Sequence, residues 1–288
     1  MSKKTFRTVN EATVFTLPWE VAIREGLFRV ADLDVEVAPK NSANTAFDIL
    51  ARDKEASFND TRLDCYDACE WGVIKRVGLD QHRPSKIVRM RESITAMGIV
   101  ARKDTDHVLP DDLARVPVGI QHATGSHYMT LKLLEGFLRR DEIAPVHVGG
   151  PALRLQALID GKVEAATLME PFLSCALKRG HRLIVQGFYN GLVAVPADYD
   201  ADLLQRIYAQ LDRAVDLINA DMTKYAGMLL ADLPEDMRAG MSVADLRLDN
   251  LRYIHARPYR RERYRREAGW MADWGMLEEG AKPELVVA

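Results

Sequence analysis

Residues 122–127, with the sequence HATGSH, combine side chains that hold anions with side chains that transfer protons. Apolar residues follow at Met129, Leu133 and Phe137, a spacing of four that predicts a helix from about Ser126. The first turn of a helix has unpaired N–H groups and partial positive charge, so it attracts anions. We therefore interpret this helix start as an anion site, with ordinary helix capping and surface histidines as the alternative.

The cysteines indicate neither a metal site nor a disulfide framework. Cys65 and Cys69 are four residues apart on a predicted helix, and with the distant His82 they do not supply the four ligands of a zinc site. Together with Cys175 they are too few for a disulfide framework. We expect Cys65 and Cys69 to be buried apolar side chains, and we expect neither a metal nor a cofactor.

A run of arginines lies near the end of the chain. Six arginines fall between Arg257 and Arg266, a density that could meet a phosphate backbone. However, Tyr259, Arg263 and Trp270 share one helical face with Arg266, and the other positions are mostly polar. We interpret this segment as a solvated terminal helix and expect no nucleic-acid partner.

The composition is that of a globular protein. The chain has 288 residues, of which 48% are hydrophobic and 28% charged, and its net charge is −3. It can bury a sizeable core, which favours two lobes, and its charge favours neither nucleic acid nor a membrane surface. No apolar run approaches the ~20 residues that span a bilayer, so we expect no membrane insertion.

Strands alternate with helices over the first two thirds of the chain, which predicts βαβ units and a parallel sheet. The predicted strands are 7–14, 33–37, 56–58, 86–90, 117–120, 146–148, 163–168 and 182–185. The predicted helices are 18–25, 45–52, 62–77, the helix from 126, 152–160, 171–179, 202–220, 223–230 and 260–274.

The order of several motifs is familiar. Residues 17–28 (LPWEVAIREGLF), followed by 33–37 (LDVEV), resemble the opening of type II periplasmic-binding-protein domains, in the branch that binds sulfonates, taurine, nitrate and thiamine pyrimidine precursors. Similar motifs of that family are matched later in the chain, at 99–104 (IVARKD) with 109–113 (LPDDL), at 118–126 (VGIQHATGS), and at 157–166 (ALIDGKVEAA) with 169–171 (MEP).

The resemblance implies an α/β protein of two lobes, with parallel or mixed sheets flanked by helices and two crossovers. It places the first lobe at 1–100 plus 190–288 and the second at 101–189. A small ligand would lie in the cleft between them, beyond the carboxyl ends of the strands. Fold alone does not determine function.

Four loops would face that cleft according to the resemblance. In the first, Thr16 would cap a helix beginning at Pro18, and Trp19 would lie against the ligand or, alternatively, be an ordinary buried tryptophan. In the third, residues 89–95, one arginine would face the cleft; Arg91 is the candidate, although the sequence does not distinguish it from Arg89. The second loop contributes Asn59, Asp60 and Arg62. The fourth loop contributes Thr124, Gly125, Ser126 and His127. The predicted rim of the cleft is completed by Glu170, Tyr189 and Asn190.

The leading hypothesis is binding of a small anionic ligand, a sulfonate, carboxylate or heteroaromatic compound, as in substrate-binding proteins of ABC transporters. The alternative is a cytoplasmic enzyme on the same scaffold, most plausibly a decarboxylase or other lyase acting on an aromatic or heterocyclic acid. His127 or His122 would then supply the proton. The desulfinases of this fold use a cysteine that would fall near Thr13, where this chain has none.

The expected location follows from the first fifteen residues, which contain no apolar segment of a secretory signal. As written, the chain is expected in the cytoplasm, or in the periplasm if a leader precedes it. An ABC permease is an expected partner only in the second case.

Overall fold

The computed structural model describes residues 5–9, 11–38, 54–77 and 83–277. The strands are β1 (Phe6–Val9), β2 (Val35–Ala38), β3 (Tyr66–Cys69), β4 (Ser85–Ala101), β5 (Pro117–Ile120), β6 (Ala144–His147), β7 (Ala165–Met169), β8 (Arg182–Pro196) and β9 (Leu251–Tyr253). The helices are α1 (Thr13–Arg24), α2 (Leu27–Val30), α3 (residues 54–59), α4 (Glu70–Val77), α5 (Gly125–Leu134), α6 (Pro151–Ile159), α7 (Phe172–Lys178), α8 (Ala201–Ala220), α9 (Met222–Ala226), α10 (Glu235–Arg238) and α11 (Arg261–Asp273).

The strands form two sheets. β1 and β2 pair in parallel, and the larger sheet has the order β3-β8-β4-β7-β5-β6, with β9 added on β4. The predicted parallel pairing is found for β5 with β6 and β7, whereas β4 and β8 pair antiparallel with their neighbours. The sheet is therefore mixed.

β4 and β8 are the longest strands of the sheet, with 17 and 15 residues, and they pair with each other. They pair from Ser85 opposite Pro196 to Ala101 opposite Arg182. The register shifts between Met90 and Ile94, so the residues in between bulge out of the ladder. This bulge lies where β8 carries Tyr189, Asn190 and Gly191.

Helix α5 packs against separate hydrophobic cores with its two faces. Tyr128 and Met129 join the core built around α1, α4 and α8. Leu131 and Leu134 join a smaller core beneath β5, which also contains Leu113. A further core fills the space between α6 and α7. Helix α5 therefore lies between the first two of these cores.

Helix α8 shows how local sequence alone determines an element. Its buried residues recur every three or four positions: Leu204, Ile207, Leu211, Val215 and Ile218. Asp200 caps the helix, because its carboxylate accepts hydrogen bonds from the N–H groups of Asp202 and Leu203. The predicted helix 202–220 is confirmed.

Other predicted helices are confirmed by α5, α6, α7 and α11. Helices α6 and α7 are each followed within two residues by a glycine with positive φ, Gly161 at 72° and Gly180 at 86°, where the helical conformation ends. The predicted apolar stripe of α5 is wrong at Phe137, because the helix ends at Leu134 and Phe137 is 51% exposed.

Several predictions near the amino terminus are wrong. The predicted strand 56–58 belongs to α3, and the first part of the predicted helix 62–77 is the strand β3. The helical spacing of Cys65 and Cys69 is overridden because Tyr66–Cys69 pairs with β8. The predicted loop 89–95 lies inside β4. The predicted helix 45–52 falls outside the described residues.

The predicted strand 7–14 and the helix start at Pro18 are also wrong, since β1 ends at Val9 and α1 begins at Thr13. Asp232, distant in sequence, accepts hydrogen bonds from the Thr13 N–H (2.7 Å) and hydroxyl (2.8 Å). Thr16 is therefore not the cap; its hydroxyl bonds to Glu20 (3.0 Å) within the helix. None of the described helices combines the length and apolar character needed to cross a bilayer.

Candidate functional site

Tyr189 on β8 belongs to the core around α1, α4 and α8 and contacts three other elements. Its ring packs edge-on against Phe15 of α1 at 5.8 Å and lies nearly parallel to Trp71 of α4, with centroids 6.1 Å apart and planes 13° apart. It also covers the start of α5, because a Cβ added at Gly125 would lie 3.2–3.4 Å from the tyrosine ring and its oxygen. Tyr189 thus joins α1 and α4 to the first turn of α5.

Further rings extend this contact. Tyr128 of α5 lies 5.3 Å from Trp71, and Trp270 of α11 lies 6.1 Å from Trp71. We name Phe15, Trp71, Tyr128, Tyr189 and Trp270 the aromatic cluster. Such a group of rings offers flat apolar faces with polar edges, which suits a planar ligand.

The first turn of α5 has no side-chain cap. Thr124 precedes the helix, but its hydroxyl donates to the carbonyl of Gln121 at 2.9 Å. The Ser126 hydroxyl accepts from the N–H of Gln121, also at 2.9 Å. Ala123 has a φ of 55°, a conformation uncommon for a residue other than glycine. The alternative of side-chain capping by Thr124 is therefore wrong, and the first-turn N–H groups can serve a ligand.

The two histidines of this stretch lie against each other, with ring centroids 4.9 Å apart. Burial, with a smaller contribution from His122, lowers the pKa of His127 to about 4. His127 Nδ1 accepts from the Ala123 N–H at 3.3 Å, which leaves Nε2 as the ring's possible donor. At neutral pH His127 is a neutral imidazole, suited to hydrogen bonding rather than to giving a proton from a cationic ring. Among the described residues, no group of histidine, cysteine and carboxylate side chains is arranged to hold a metal ion.

Arg91, rather than Arg89, is the arginine that faces the aromatic cluster. Its guanidinium is 4.3 Å from the centre of the Phe15 ring, and the residue is 1% exposed. Its Nη1 lies 3.0 Å from Asp67 and 3.2 Å from Glu11. Arg89, in contrast, pairs with Glu92.

Arg91 belongs to a buried charged cluster, which we define as Glu11, Lys54, Asp67 and Arg91. Lys54 completes it by bonding to the carboxylate of Glu11 and to the backbone carbonyl of Asp67. Burial raises the pKa of Asp67 to about 7, against the opposing effect of Arg91. Burial also acts to raise the pKa of Glu11, but Lys54 and Arg91 hold it below its usual value.

The end of β3 and the start of α4 also reach the site: Cys69 is expected from the sequence only as a buried apolar side chain, and Glu70 and Trp71 carry no sequence prediction of a site role. Cys69 accepts a hydrogen bond from the Gly72 N–H at 3.4 Å, and burial raises the pKa of its thiol to about 11. Glu70 bonds to Arg263 through both carboxylate oxygens, at 2.6 and 2.7 Å. The sequence feature that could indicate this part of the site is the run of residues 65–69, which ends where a helix starts. The spacing of four between Cys65 and Cys69 instead predicts that the run is helical.

Helix α11 connects α4 to α5. Glu267 accepts from the indole N–H of Trp71 and from Lys132, both at 3.0 Å. Glu135, directly after the end of α5, accepts from the indole N–H groups of Trp270 (2.9 Å) and Trp274 (3.1 Å). The interpretation of this segment as a solvated helix is therefore wrong for its inner face, which ties two helices of the site together.

The predicted ligand-binding residues of the first two loops contact other parts of the structure. Trp19 is 5% exposed and is enclosed by Phe6 and Phe28, with centroids 5.7 and 5.9 Å away, as in the alternative of a buried tryptophan. Asn59 accepts from Arg76 at 2.6 Å, and Asp60 forms an exposed ion pair with Arg62 at 3.6 Å. The contacts described for these residues do not include α5 or Tyr189.

The rim candidates differ from one another. Glu170 is fully buried, accepts from Asn250 at 3.0 Å, and has a pKa raised by burial, so it belongs to the interior. Asn190 accepts from Arg263 at 3.1 Å, beside Tyr189. The structure thus brings together Arg91, Gly125 and Tyr189 from the predicted set, with Asn190 adjacent.

No protein-family model matches this sequence, and no curated protein matches it. Solved structures match along nearly the whole chain. The periplasmic aliphatic sulphonate binding protein SsuA from Escherichia coli is similar with a TM-score of 0.76 at 17% identity, over 99% of this chain and 98% of that one. This chain has the two-lobed periplasmic-binding-protein fold.

Other proteins with this fold carry different functions. The periplasmic nitrate-binding protein NrtA from Synechocystis PCC 6803 has a TM-score of 0.71 at 12% identity, covering 96% of this chain and 83% of that one. The desulfurization enzyme DSZB has a TM-score of 0.65 at 14% identity, covering 98% and 95%. The TM-scores establish the fold class that the motifs predicted, and at these low identities the ligand and the boundaries of the lobes stay predictions.

Proposed function

We propose that this protein binds a small anionic ligand, a sulfonate, carboxylate or heteroaromatic compound, in the cleft between its lobes. The single observation that carries the proposal is the packing of the Tyr189 ring against Gly125, at the uncapped start of α5 and within the aromatic cluster. An anion would be held by the first-turn N–H groups, and a planar part of the ligand by the rings.

The similar solved structures named as sulphonate- and nitrate-binding proteins support this proposal. By the same analogy, the partner would be an ABC permease if the protein is exported. A cytoplasmic location, or a periplasmic one after removal of a leader, remains an expectation that cell fractionation with a carboxy-terminal tag can test.

The second candidate function is catalysis by a lyase or decarboxylase acting on an aromatic or heterocyclic acid. Its support is that an enzyme, DSZB, has the same fold. The side chains of the described site give this function less support than the first. The Cys69 thiol has a raised pKa of about 11, and His127 is neutral at pH 7. A thiol that stays protonated is a poor nucleophile, and a neutral imidazole is a weak general acid.

A thermal-shift screen followed by mass spectrometry separates the two functions. The purified protein is screened against aromatic carboxylates, sulfonates, pyrimidines and nitrate, since a ligand that binds the folded state raises the melting temperature, and the rise grows with the ratio of ligand concentration to dissociation constant. Each hit is incubated with the protein and analysed for chemical change. Recovery unchanged supports binding, whereas conversion supports catalysis. Trp71→Ala should weaken binding of a compound found in the screen, and the exposed Arg238→Ala is the control that should leave binding unchanged.

A further inference from the structure

The buried charged cluster beside the aromatic cluster is electrically balanced. It contains two carboxylates, Glu11 and Asp67, and two cations, Lys54 and Arg91. The side chains of Lys54 and Arg91 are 6% and 1% exposed. Because an uncompensated charge in such surroundings is costly, the cluster cannot readily gain or lose one charge by itself.

Arg91 has hydrogen-bonding capacity that its neighbours do not use. Its Nη1 is held by Glu11 and Asp67, and one face of the guanidinium lies against Phe15. The group also lies against Gly191, where an added Cβ would overlap it. Its Nε is buried and has no hydrogen-bond partner within the part of the chain that the structure describes. A buried donor without a partner favours an incoming acceptor.

We propose that a ligand carboxylate binds to Arg91 and that Asp67 takes up one proton from the solvent when it does. This inference rests on the proposed function, and it names the ligand class and a linked proton. A carboxylate added to the balanced cluster would leave one excess negative charge in a buried site. Protonation of Asp67 removes that charge: the ligand arrives as an anion, water or buffer gives up the proton, and Asp67 becomes a neutral carboxylic acid.

Asp67 is the member of the cluster suited to this exchange. Its pKa of about 7 lies close to neutrality, whereas Glu11 contacts both cations and has a lowered pKa. A new anion beside Asp67 raises its pKa further. Linkage then requires proton uptake between the pKa of about 7 in the free protein and the higher pKa in the complex, and none well below or well above that interval.

The two cations and the two thiols around Asp67 do not change charge in that range. Lys54 and Arg91 have raised pKa values and stay cationic. Burial raises the pKa of Cys65 to about 12 and of Cys69 to about 11. Glu92 is held by Arg89, and the buried phenol of Tyr208 has a pKa well above its usual value.

Isothermal titration calorimetry of the full chain with benzoate tests the proposal, with benzamide as the uncharged analogue. Each titration is run in two buffers of different ionisation enthalpy, neither of them a sulfonate, so that the difference in heat counts the protons. We expect benzoate to take up close to one proton at about pH 8 and almost none at about pH 5.5, with affinity falling up to about tenfold per pH unit above 7. Benzamide should take up none.

The outcomes are distinct. Benzoate binding without proton uptake overturns this inference and leaves the proposed function standing. Binding of benzamide but not benzoate contradicts both, because the site then prefers an uncharged compound. Binding of neither compound overturns this inference, and the proposed function fails as well only if the sulfonates and heteroaromatic compounds of the ligand screen also fail to bind. Asp67→Asn should abolish the uptake, whereas the exposed Asp111→Asn should leave it unchanged. If Asp67→Asn does not fold, infrared difference spectra of the wild type decide: benzoate should produce the C=O band of a protonated carboxyl group, and its absence overturns the proposal.

Discussion

The guanidinium of Arg91 lies against the backbone of Gly191, in the space that a β-carbon would occupy. Gly191 is opposite Cys69 in the pairing of β3 with β8, and Arg91 lies in the bulge of β4 next to it. The absence of a side chain at one position therefore makes room for a buried charge at the other. This packing sets the position of Arg91 beside Phe15 and Asp67.

Gly191→Ala should lower the free energy of unfolding by about 1–3 kcal/mol, because the methyl group forces the Arg91 guanidinium to move. Urea denaturation measures it. Gly269→Ala is the matched control, since a β-carbon there meets open space on α11 and should stabilise the protein by roughly 0.5–1 kcal/mol. Equal effects of the two substitutions would show that Arg91 is not held against Gly191.

Gly125→Ala should weaken ligand binding about tenfold or more while leaving the fold intact. The new methyl group would lie 3.2–3.4 Å from Tyr189 and would cover the first turn of α5. Any hit of the ligand screen can be titrated against both proteins. Gly136→Ala, whose β-carbon meets nothing within 4 Å, serves as the control and should bind normally. Unchanged affinity in Gly125→Ala would place the ligand elsewhere.

Glu267→Gln should reduce the free energy of unfolding by about 1–3 kcal/mol, because the carboxylate accepts from both Trp71 and Lys132 at 3.0 Å. The substitution keeps the shape and removes the charge that Lys132 pairs with. Glu262→Gln on the exposed side of the same helix should change stability by less than about 0.5 kcal/mol. Similar unfolding midpoints for both variants would argue against α11 as a tie between α4 and α5.

His127 should make the protein less stable in acid. Its pKa in the folded state is about 4, below the ordinary value of 6.5, so the unfolded chain binds the proton first. Stability is then lost as pH falls from about 6.5 towards 4. His127→Gln should flatten this part of a plot of melting temperature against pH. Comparison of the variant with the wild type at pH 8, where the imidazole is neutral in both states, isolates the packing effect. If the melting temperature of the variant falls with pH as steeply as that of the wild type, groups other than His127 cause the loss of stability in acid.

The elements that were predictable from sequence are those with signals inside a few residues. The periodic apolar positions of α8, and Gly161 and Gly180 after α6 and α7, define helices whose hydrogen bonds are all local. The motif order also indicated the two-lobed fold, and the stretch at Gly125 indicated a helix start in the site. These features follow from backbone geometry, which depends on neighbouring residues.

Only the tertiary structure decided which groups meet. The cap of α1 is Asp232, more than two hundred residues away, and Cys69 ends a strand because β8 lies beside it. The sequence does not distinguish Arg91 from Arg89 as the arginine of the site. The structure does, because the bulge in β4 places Arg91 beside Asp67 and Gly191. Strand pairing and buried charge depend on partners distant in sequence, and their energies arise only after the chain has folded around them.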